Sequence, residues 1–564
     1  MGGSCLPLSP CLRASACLIL FATSDSNRSF PRFKDAPNRP SGSLKNWTSP
    51  ASGLDFGVHP SFMSLSLQTN SWRTFPGLAI ALMVGAFLLG LVSYRSLAQS
   101  PTTNAPWAYK LLGDSYLLDE CLPCGIASRP VPMRGGFNLR LAGQTPFSTH
   151  YVIEGLQFEA VGFRTYRVTG GGTLNLNGDF ALTFDGTLAV EIDDGTTNRT
   201  DYFTNSTSFS SRRWPIFDLT FGRTNGTLVH TLTLRLVAAP VREIWYSVAK
   251  SFAADDGNPT TGFIQGGDLL AMSGQVVKRN ADLFTSVGAF PPGPDLGLDA
   301  IDVLPGGEIA FSLGSGIMSQ SLGPLQGGDL LSNKGRIISR NQDLLAPFAT
   351  STTNDAGLDA VHVLDSGEIY FSIASDVFST ALGVTLHRGD LLSSKGNIVR
   401  SNHDLLSRFQ PANPGADYGL DAFYIWPNGE TWFSTEKGFE DSSLGTVAAG
   451  DLLSDNGSIV FRNADLVGVF QPNPSLGDLG LDALYVITDA TPPAPAPTLS
   501  LQTDTAAAGV RLSWKGKGRV FQVERTDALS GPFYPLSPIL PDLHFDDVGS
   551  LTNSTQHFYR LLEW

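Results

Sequence analysis

Two sets of aspartates recur through the middle of this chain at near-constant spacing. Gly-Asp-Leu-Leu places one set at Asp268, Asp329, Asp390 and Asp451, and Leu-Asp-Ala places the other at Asp299, Asp359, Asp421 and Asp482. Carboxylates repeated around an axis could hold a hard cation such as calcium through oxygen ligands. The competing use is structural, with each Asp bonding backbone amides at a turn. A side chain present in every unit belongs more often to the structural formula than to a site. No compact Asp-x-Asp-x-Asp-Gly loop is present, and Asp255-Asp256-Gly257-Asn258 is the one short stretch of that kind. Asp299, Asp359, Asp421 and Asp482 are therefore the calcium candidates, and no other cofactor is expected.

Residues that vary between the units are the better candidates for recognition, because loops on a repeated framework carry function. Tyr418, Tyr424, Trp426, Trp432 and His403 all fall in the unit that begins at Asp390. Aromatic faces at that density could stack on sugar rings, although aromatics also dominate β cores. Arg388-Gly389-Asp390 spells a cell-adhesion tripeptide but occupies the Gly-Gly-Asp slot of the repeat. No catalytic residue is expected. There is no Gly-x-Ser-x-Gly elbow, no His-Glu-x-x-His and no phosphate-binding loop. A spatial pair of carboxylates for glycoside cleavage would leave no sequence signature.

Cys121-Leu-Pro-Cys124 carries the two cysteines downstream of residue 62. A redox motif would sit on a βαβ background, which is missing, and a zinc site would need two more ligands nearby. The favoured reading is a disulfide in an oxidising compartment, with metal or redox chemistry as the alternative.

The elements that must position these residues are strands. Gly-Asp-Leu-Leu recurs at intervals of 61, 61 and 61 residues, Asn-x-Asp-Leu at Asn280, Asn341, Asn402 and Asn463 keeps the same spacing, and Leu-Asp-Ala is spaced 60, 62 and 61. A Gly-Glu step at Glu308, Glu368 and Glu430 precedes an aromatic-Ser pair, which recurs as Tyr246-Ser247, Phe311-Ser312, Phe371-Ser372 and Phe433-Ser434. Several motifs in register four times over mark an internal repeat, residues 241–490. Each unit holds two hairpins, one turning at sites such as Asn333-Lys334-Gly335 and Asp455-Asn456-Gly457, the other at Pro305-Gly306-Gly307, Asp365-Ser366-Gly367 and Pro427-Asn428-Gly429. Asn, Asp and Gly there suit the positive φ that tight hairpins demand. Four strands per unit, repeated radially, resemble the blades of a β-propeller. The ring would close by pairing the strand near Ile244 with one near Val486. Five blades and a tandem string of small β modules are the alternatives, and the motifs do not match the WD, kelch or Asp-box signatures.

Residues 107–240 alternate polar and apolar with period two, as in Phe137-Asn-Leu-Arg-Leu and Leu228-Val-His-Thr-Leu-Thr-Leu-Arg-Leu. That pattern predicts half-buried antiparallel strands in a β-sandwich or barrel of about eight strands. Residues 491–498 form a Pro-rich linker. Beyond it, Val510-Arg-Leu-Ser-Trp514, Phe521-Gln-Val-Glu-Arg-Thr, Phe545-Asp-Asp and Phe558-Tyr-Arg resemble fibronectin type III-like end modules of bacterial secreted proteins, over residues 499–564. The resemblance implies a sandwich that spaces, attaches or binds, and a bacterial surface or secreted setting. The whole chain is thus expected to be all-β.

Trp72–Ser100 carries Arg73, an uncharged apolar run from Gly77 to Val92 and Ser96-Leu97-Ala98, the pattern of a secretory signal peptide. An uncleaved single-pass anchor is the alternative. Residues 63–98 are assigned to that segment, and residues 1–62 to a disordered leader or upstream sequence translated from a wrong start. The formal charge is −14, and residues 99–564 alone carry −19. That acidity argues against nucleic acid and against docking on anionic lipid. The expected protein is an exported, non-enzymatic binding or structural protein of the cell exterior, secreted or surface-bound in the periplasmic or extracellular space. Its expected partners are polysaccharide or a cell-surface protein, with membrane contact only through an uncleaved N-terminal segment. The alternative is a secreted carbohydrate-active hydrolase or lyase with its site at the mouth of the ring.

Overall fold

A computed structural model describes residues 106–564 except 122–128, 179–181, 226–229, 259–260, 290–294, 351–354, 476, 492–496, 505–508 and 554–555. The signal or anchor segment and the leader therefore lie outside the described residues. Among those described, no helix is long and apolar enough to cross a membrane. Sheets are antiparallel throughout, and the chain is all-β with a few short helices.

The alternating N-terminal segment forms one nine-stranded sheet that closes on itself. From Val131–Gln144 onward each strand pairs with its successor, through to His230–Ala239. Trp107–Leu111 and Tyr116–Cys121 both pair with Val131–Gln144 on one side and His230–Ala239 on the other. Of sandwich and barrel, the hydrogen bonding thus gives a closed ring of strands. Its inward-facing residues, among them Tyr109, Phe137, Tyr151, Phe184, Trp214 and Phe217, are buried in one core. Strand glycines let the ring bend. Gly170 has φ +147°, and a Cβ there would lie 2.4 Å from the carbonyl oxygen of Ala189.

The repeat yields four four-stranded sheets. Three are each built from two hairpins with a separate two-stranded hairpin between them in the chain, Ile301–Leu304 to Arg336–Ser339, Val361–Val363 to Asn397–Arg400, and Ala422–Ile425 to Ser458–Phe461. The remaining sheet joins Val241–Ser247, Leu269–Ala271 and Gln275–Lys278 to Ala483–Thr488 from the far end of the repeat, with Trp245 opposite Tyr485. The hairpin turns hold the expected positive φ, for example +75° at Gly335 and +83° at Gly457. The strands Ala483–Thr488, Ile301–Leu304, Val361–Val363 and Ala422–Ile425 contact one another in a closed cycle.

A buried serine ties each sheet to the next. Ser247, Ser312, Ser372 and Ser434 donate to the carbonyls of Leu298, Leu358, Leu420 and Leu481 at 2.6, 2.7, 2.7 and 2.7 Å. The aromatic-Ser motif of one sheet is thus the partner of Leu-Asp-Ala in its neighbour. Around this lattice the apolar residues fall into separate clusters between adjacent sheets.

Two three-stranded sheets follow, Thr498–Asp504 with Gly509–Lys515 and His544–Asp547, and Tyr534–Pro535 with Phe521–Thr526 and Phe558–Glu563. They enclose a core of Leu512, Trp514, Phe521, Val523, Tyr559 and Leu561. This end of the chain lies against the first three repeat sheets in chain order, those of Trp245, Phe311 and Asp365. Arg519 reaches the carbonyl of Val303 at 2.5 Å and Asp365 at 3.0 Å, and Val520, Ile539 and Trp564 join an apolar cluster with Trp245 and Phe311.

Candidate functional site

The repeated polar residues divide into those consumed by the framework and those left over. In the first set, Asp268 accepts from the backbone N–H groups of Gln265 and Asn280 and from the Arg279 guanidinium at 2.7 Å. Asp329 and Asp451 repeat this with Arg340 and Arg462. A further aspartate, missed by the sequence reasoning, stands four residues before each Leu-Asp-Ala aspartate. Asp295, Asp355, Asp417 and Asp478 accept from the amides of Gly267, Gly328, Gly389 and Gly450 respectively, beside the first set. Its signal in the sequence is Asp-x-Gly-Leu-Asp, which begins at each of these four aspartates.

Asp299, Asp359, Asp421 and Asp482 behave differently. They stand at the entry to the four strands that contact in a cycle, and they are half-buried. None of their four carboxyls has a hydrogen bond to another described residue, although the backbone N–H groups of Asp421 and Asp482 donate to the carbonyls of Ser434 and Ser247. Loss of hydration followed by neighbouring carboxylates pushes them up to about 6, 8, 9 and 7 respectively. Asp359 feels the charges of Asp299, Glu436 and Asp482, and Asp421 those of Asp482, Asp359, Glu436 and Asp299. The four are therefore one electrostatic unit, within which Asp359 and Asp421 retain protons at neutral pH. No three of them bring ligand oxygens within 4.8 Å of one another, so the arrangement is not a direct three-carboxylate cage for one ion.

One layer further along the same strands stand Asp302, His362, Tyr424 and Tyr485, an acid, an imidazole and two phenols. Asp302 accepts from the amides of Val303 and Val363 at 2.7 and 2.6 Å, lies 3.3 Å from His362 Nδ1 and is approached by Arg519 at 3.6 Å. Burial and the Asp302 charge push both tyrosines far above the ordinary phenol value. Arg519 and the C-terminal sheets cover this end, so the layer is a packed polar plug.

The aromatic candidates are a correction. Tyr418, Tyr424, Trp426 and Trp432 are only 8, 8, 1 and 0% exposed. Trp426 packs against Trp432 at 4.8 Å and against Tyr424 at 5.3 Å, all inside one cluster, while Tyr418 packs on Phe439. Their rings fill the space between sheets and present no face for a sugar. The adhesion tripeptide is not free either, since Asp390 is buried and Arg388 pairs with Glu436 at 2.7 Å. Cys121 is engaged in a disulfide, and Cys124, its expected partner, lies outside the described residues.

The unit-specific groups that remain accessible gather around the third sheet, Val361–Arg400. Asp390 accepts from the amides of His387 and Asn402 like its counterparts, but Ser401 stands where the others have Arg279, Arg340 and Arg462. Ser401 instead caps the following short helix through Asp404. Burial, with no guanidinium to offset it, raises the Asp390 carboxyl. Removing the arginine accompanies a cleft of about 310 Å³ lined by His387, Asp390, Ser401, His403, Phe409 and Asp417. At its edge His387 Nδ1 lies 3.0 Å from Asp376 Oδ2. His403 was a sequence candidate. His387 and Asp376 were not, because their counterparts are neutral and the sequence alone does not bring them together.

No known family's sequence pattern matches the chain, and no curated protein resembles it significantly.

Proposed function

We propose that this chain is an exported, non-enzymatic binding or structural protein of the cell exterior. In this reading the four sheets are the blades of a four-bladed propeller, and the C-terminal sheets are a fibronectin type III-like spacer. Four radial units, cyclic contact of their first strands and completion of one sheet by the last strand support the propeller. Paired three-stranded sheets around Trp514 support the sandwich. The low charge density and the Gly77–Val92 apolar run support export, with the chain secreted or held by an uncleaved anchor.

The observation that carries the binding role is the asymmetry of the third sheet. In the other sheets the Gly-Asp-Leu-Leu carboxylates are spent on backbone amides and arginines. At the third sheet His387, His403 and Asp376 appear and Ser401 replaces the arginine, beside a cleft of about 310 Å³. A blade specialised in this way on an otherwise regular ring is a recognition device. With the aromatic rings buried, the cleft offers imidazole and carboxylate groups that match the hydroxyls of a polysaccharide, which is the partner favoured over a cell-surface protein.

The test is retention of the purified protein on a panel of insoluble polysaccharides and envelope fractions. Retention that His403→Ala lowers at least fivefold supports the reading. Release of sugar fragments would move the assignment to a carbohydrate-active hydrolase or lyase. Absence of retention under every condition would refute the polysaccharide partner.

A further inference from the structure

The third sheet also brings together a set of side chains that no other sheet assembles. Among the described residues, Asp376, His387 and Asp417 form the single group whose carboxylate oxygens and imidazole nitrogen all lie within 4.8 Å of one another. Asp376 and His387 are exposed and Asp417 is half-buried, so the three are open to an ion from solvent.

The other repeats act as internal controls. Asp376 corresponds to Ser251, Gly316 and Gly438, and His387 corresponds to Gln265, Gln326 and Ala448. Only Asp417 belongs to the common framework, where its counterparts accept from backbone amides and, at Asp295, also from the Ser251 hydroxyl and the Asn280 side chain. Two ligand-type residues have thus been added beside a carboxylate that was already there. The arginine that neutralises the neighbouring aspartate in the other sheets has meanwhile been replaced by Ser401. The cleft keeps the carboxylates of Asp390 and Asp417, with Asp376 at its edge beside His387, while Arg388, the nearest guanidinium in sequence, is committed to Glu436 at 2.7 Å. Ligands have been gained and a competing cation lost at one place.

We propose that Asp376, His387 and Asp417 bind a divalent transition metal such as zinc or manganese at the edge of the third-sheet cleft. The inference rests on the reading of that cleft as the ligand-binding one, and names what is bound there. One imidazole with two carboxylates suits zinc or manganese, whereas calcium prefers oxygen donors throughout. Three protein ligands leave coordination positions for water or for a ligand oxygen in the cleft. The metal would replace the present His387–Asp376 hydrogen bond with a shared ion.

The repeats also supply substitutions that the fold already accepts. His387→Gln installs the residue of the first two units, Asp376→Gly that of the second and fourth, and Ser401→Arg restores the missing guanidinium. Zinc and manganese binding to the purified protein is measured by titration calorimetry, with calcium as the comparison. The expected result is one site for zinc or manganese, weakened at least tenfold by His387→Gln and by Asp376→Gly. Ser401→Arg is expected to weaken it severalfold through charge alone. Zinc affinity and stoichiometry unchanged in His387→Gln would overturn the proposal, as would a wild-type protein that binds neither metal. Either failure leaves polysaccharide retention standing as a separate measurement, and loss of retention with intact metal binding would refute only the polysaccharide partner.

Discussion

Asp421→Asn should stabilise this protein, and by an amount that depends on pH in one direction. In the folded state the carboxyl is pushed up to about 9 by loss of hydration and by Asp482, Asp359 and Glu436. In the unfolded chain it returns to the ordinary value near 4. The folded protein therefore holds a proton that the unfolded chain has released across the whole interval between those values. The group's full contribution to stability is present below about pH 4 and is lost as pH rises through about 9. From pH 4 to pH 7 the loss spans about three units at about 1.4 kcal/mol each, a ceiling of about 4 kcal/mol. Water reaching the half-buried carboxylate screens it, so we expect a gain on the order of 2 kcal/mol for the neutral amide at pH 7. At pH 4 the acid is already neutral and the substitution should change little. The assay is urea unfolding at pH 4, 6 and 8, followed through the fluorescence of the buried tryptophans Trp245, Trp426 and Trp432. A variant no more stable than the wild type at pH 8, or equally stabilised at pH 4 and pH 8, would refute the electrostatic unity of the ring.

Other outcomes follow from single contacts. Arg212 is buried and pairs with Glu430 at 2.7 Å, joining the closed N-terminal ring to the fourth sheet. Arg212→Met should cost about 3–5 kcal/mol in urea unfolding by stranding the carboxylate, and Glu430→Gln in the same background should recover part of it. Ser434→Ala removes the bond to the Leu481 carbonyl and should cost on the order of 1 kcal/mol by the same measurement. The three equivalent serine substitutions should have similar effects, because each sheet is tied to its neighbour in the same way.

What could be read from the sequence depended on how local the information was. The repeat, its hairpins and the pairing of Ile244 with Val486 were legible, since motif spacing and turn residues are carried within one segment. Period-two alternation in residues 107–240 gave strands but not their closure. Both a sandwich and a ring bury every second residue, and only the pairing of the first two strands with His230–Ala239 decides between them. Trp426 and Trp432 misled because an aromatic cluster has the same composition whether it fills a gap between sheets or faces a ligand. Asp376 and His387 were invisible for the opposite reason. Each looks like an ordinary loop residue until the backbone turns them toward each other beside Asp417.

Completing the first sheet with Ala483–Thr488 has a consequence for how the protein is made. Val241–Ser247 emerges early from the ribosome, yet one of its edges has no partner until residue 483 follows. During that interval it is an open, apolar strand edge of the kind that recruits other chains. Long-range pairing of this sort also slows folding, because loop-closure entropy is lost before the contact forms. Productive folding of the repeat is therefore expected to be a late, whole-ring event, and chains interrupted before residue 483 should aggregate instead of accumulating as a three-quarter product.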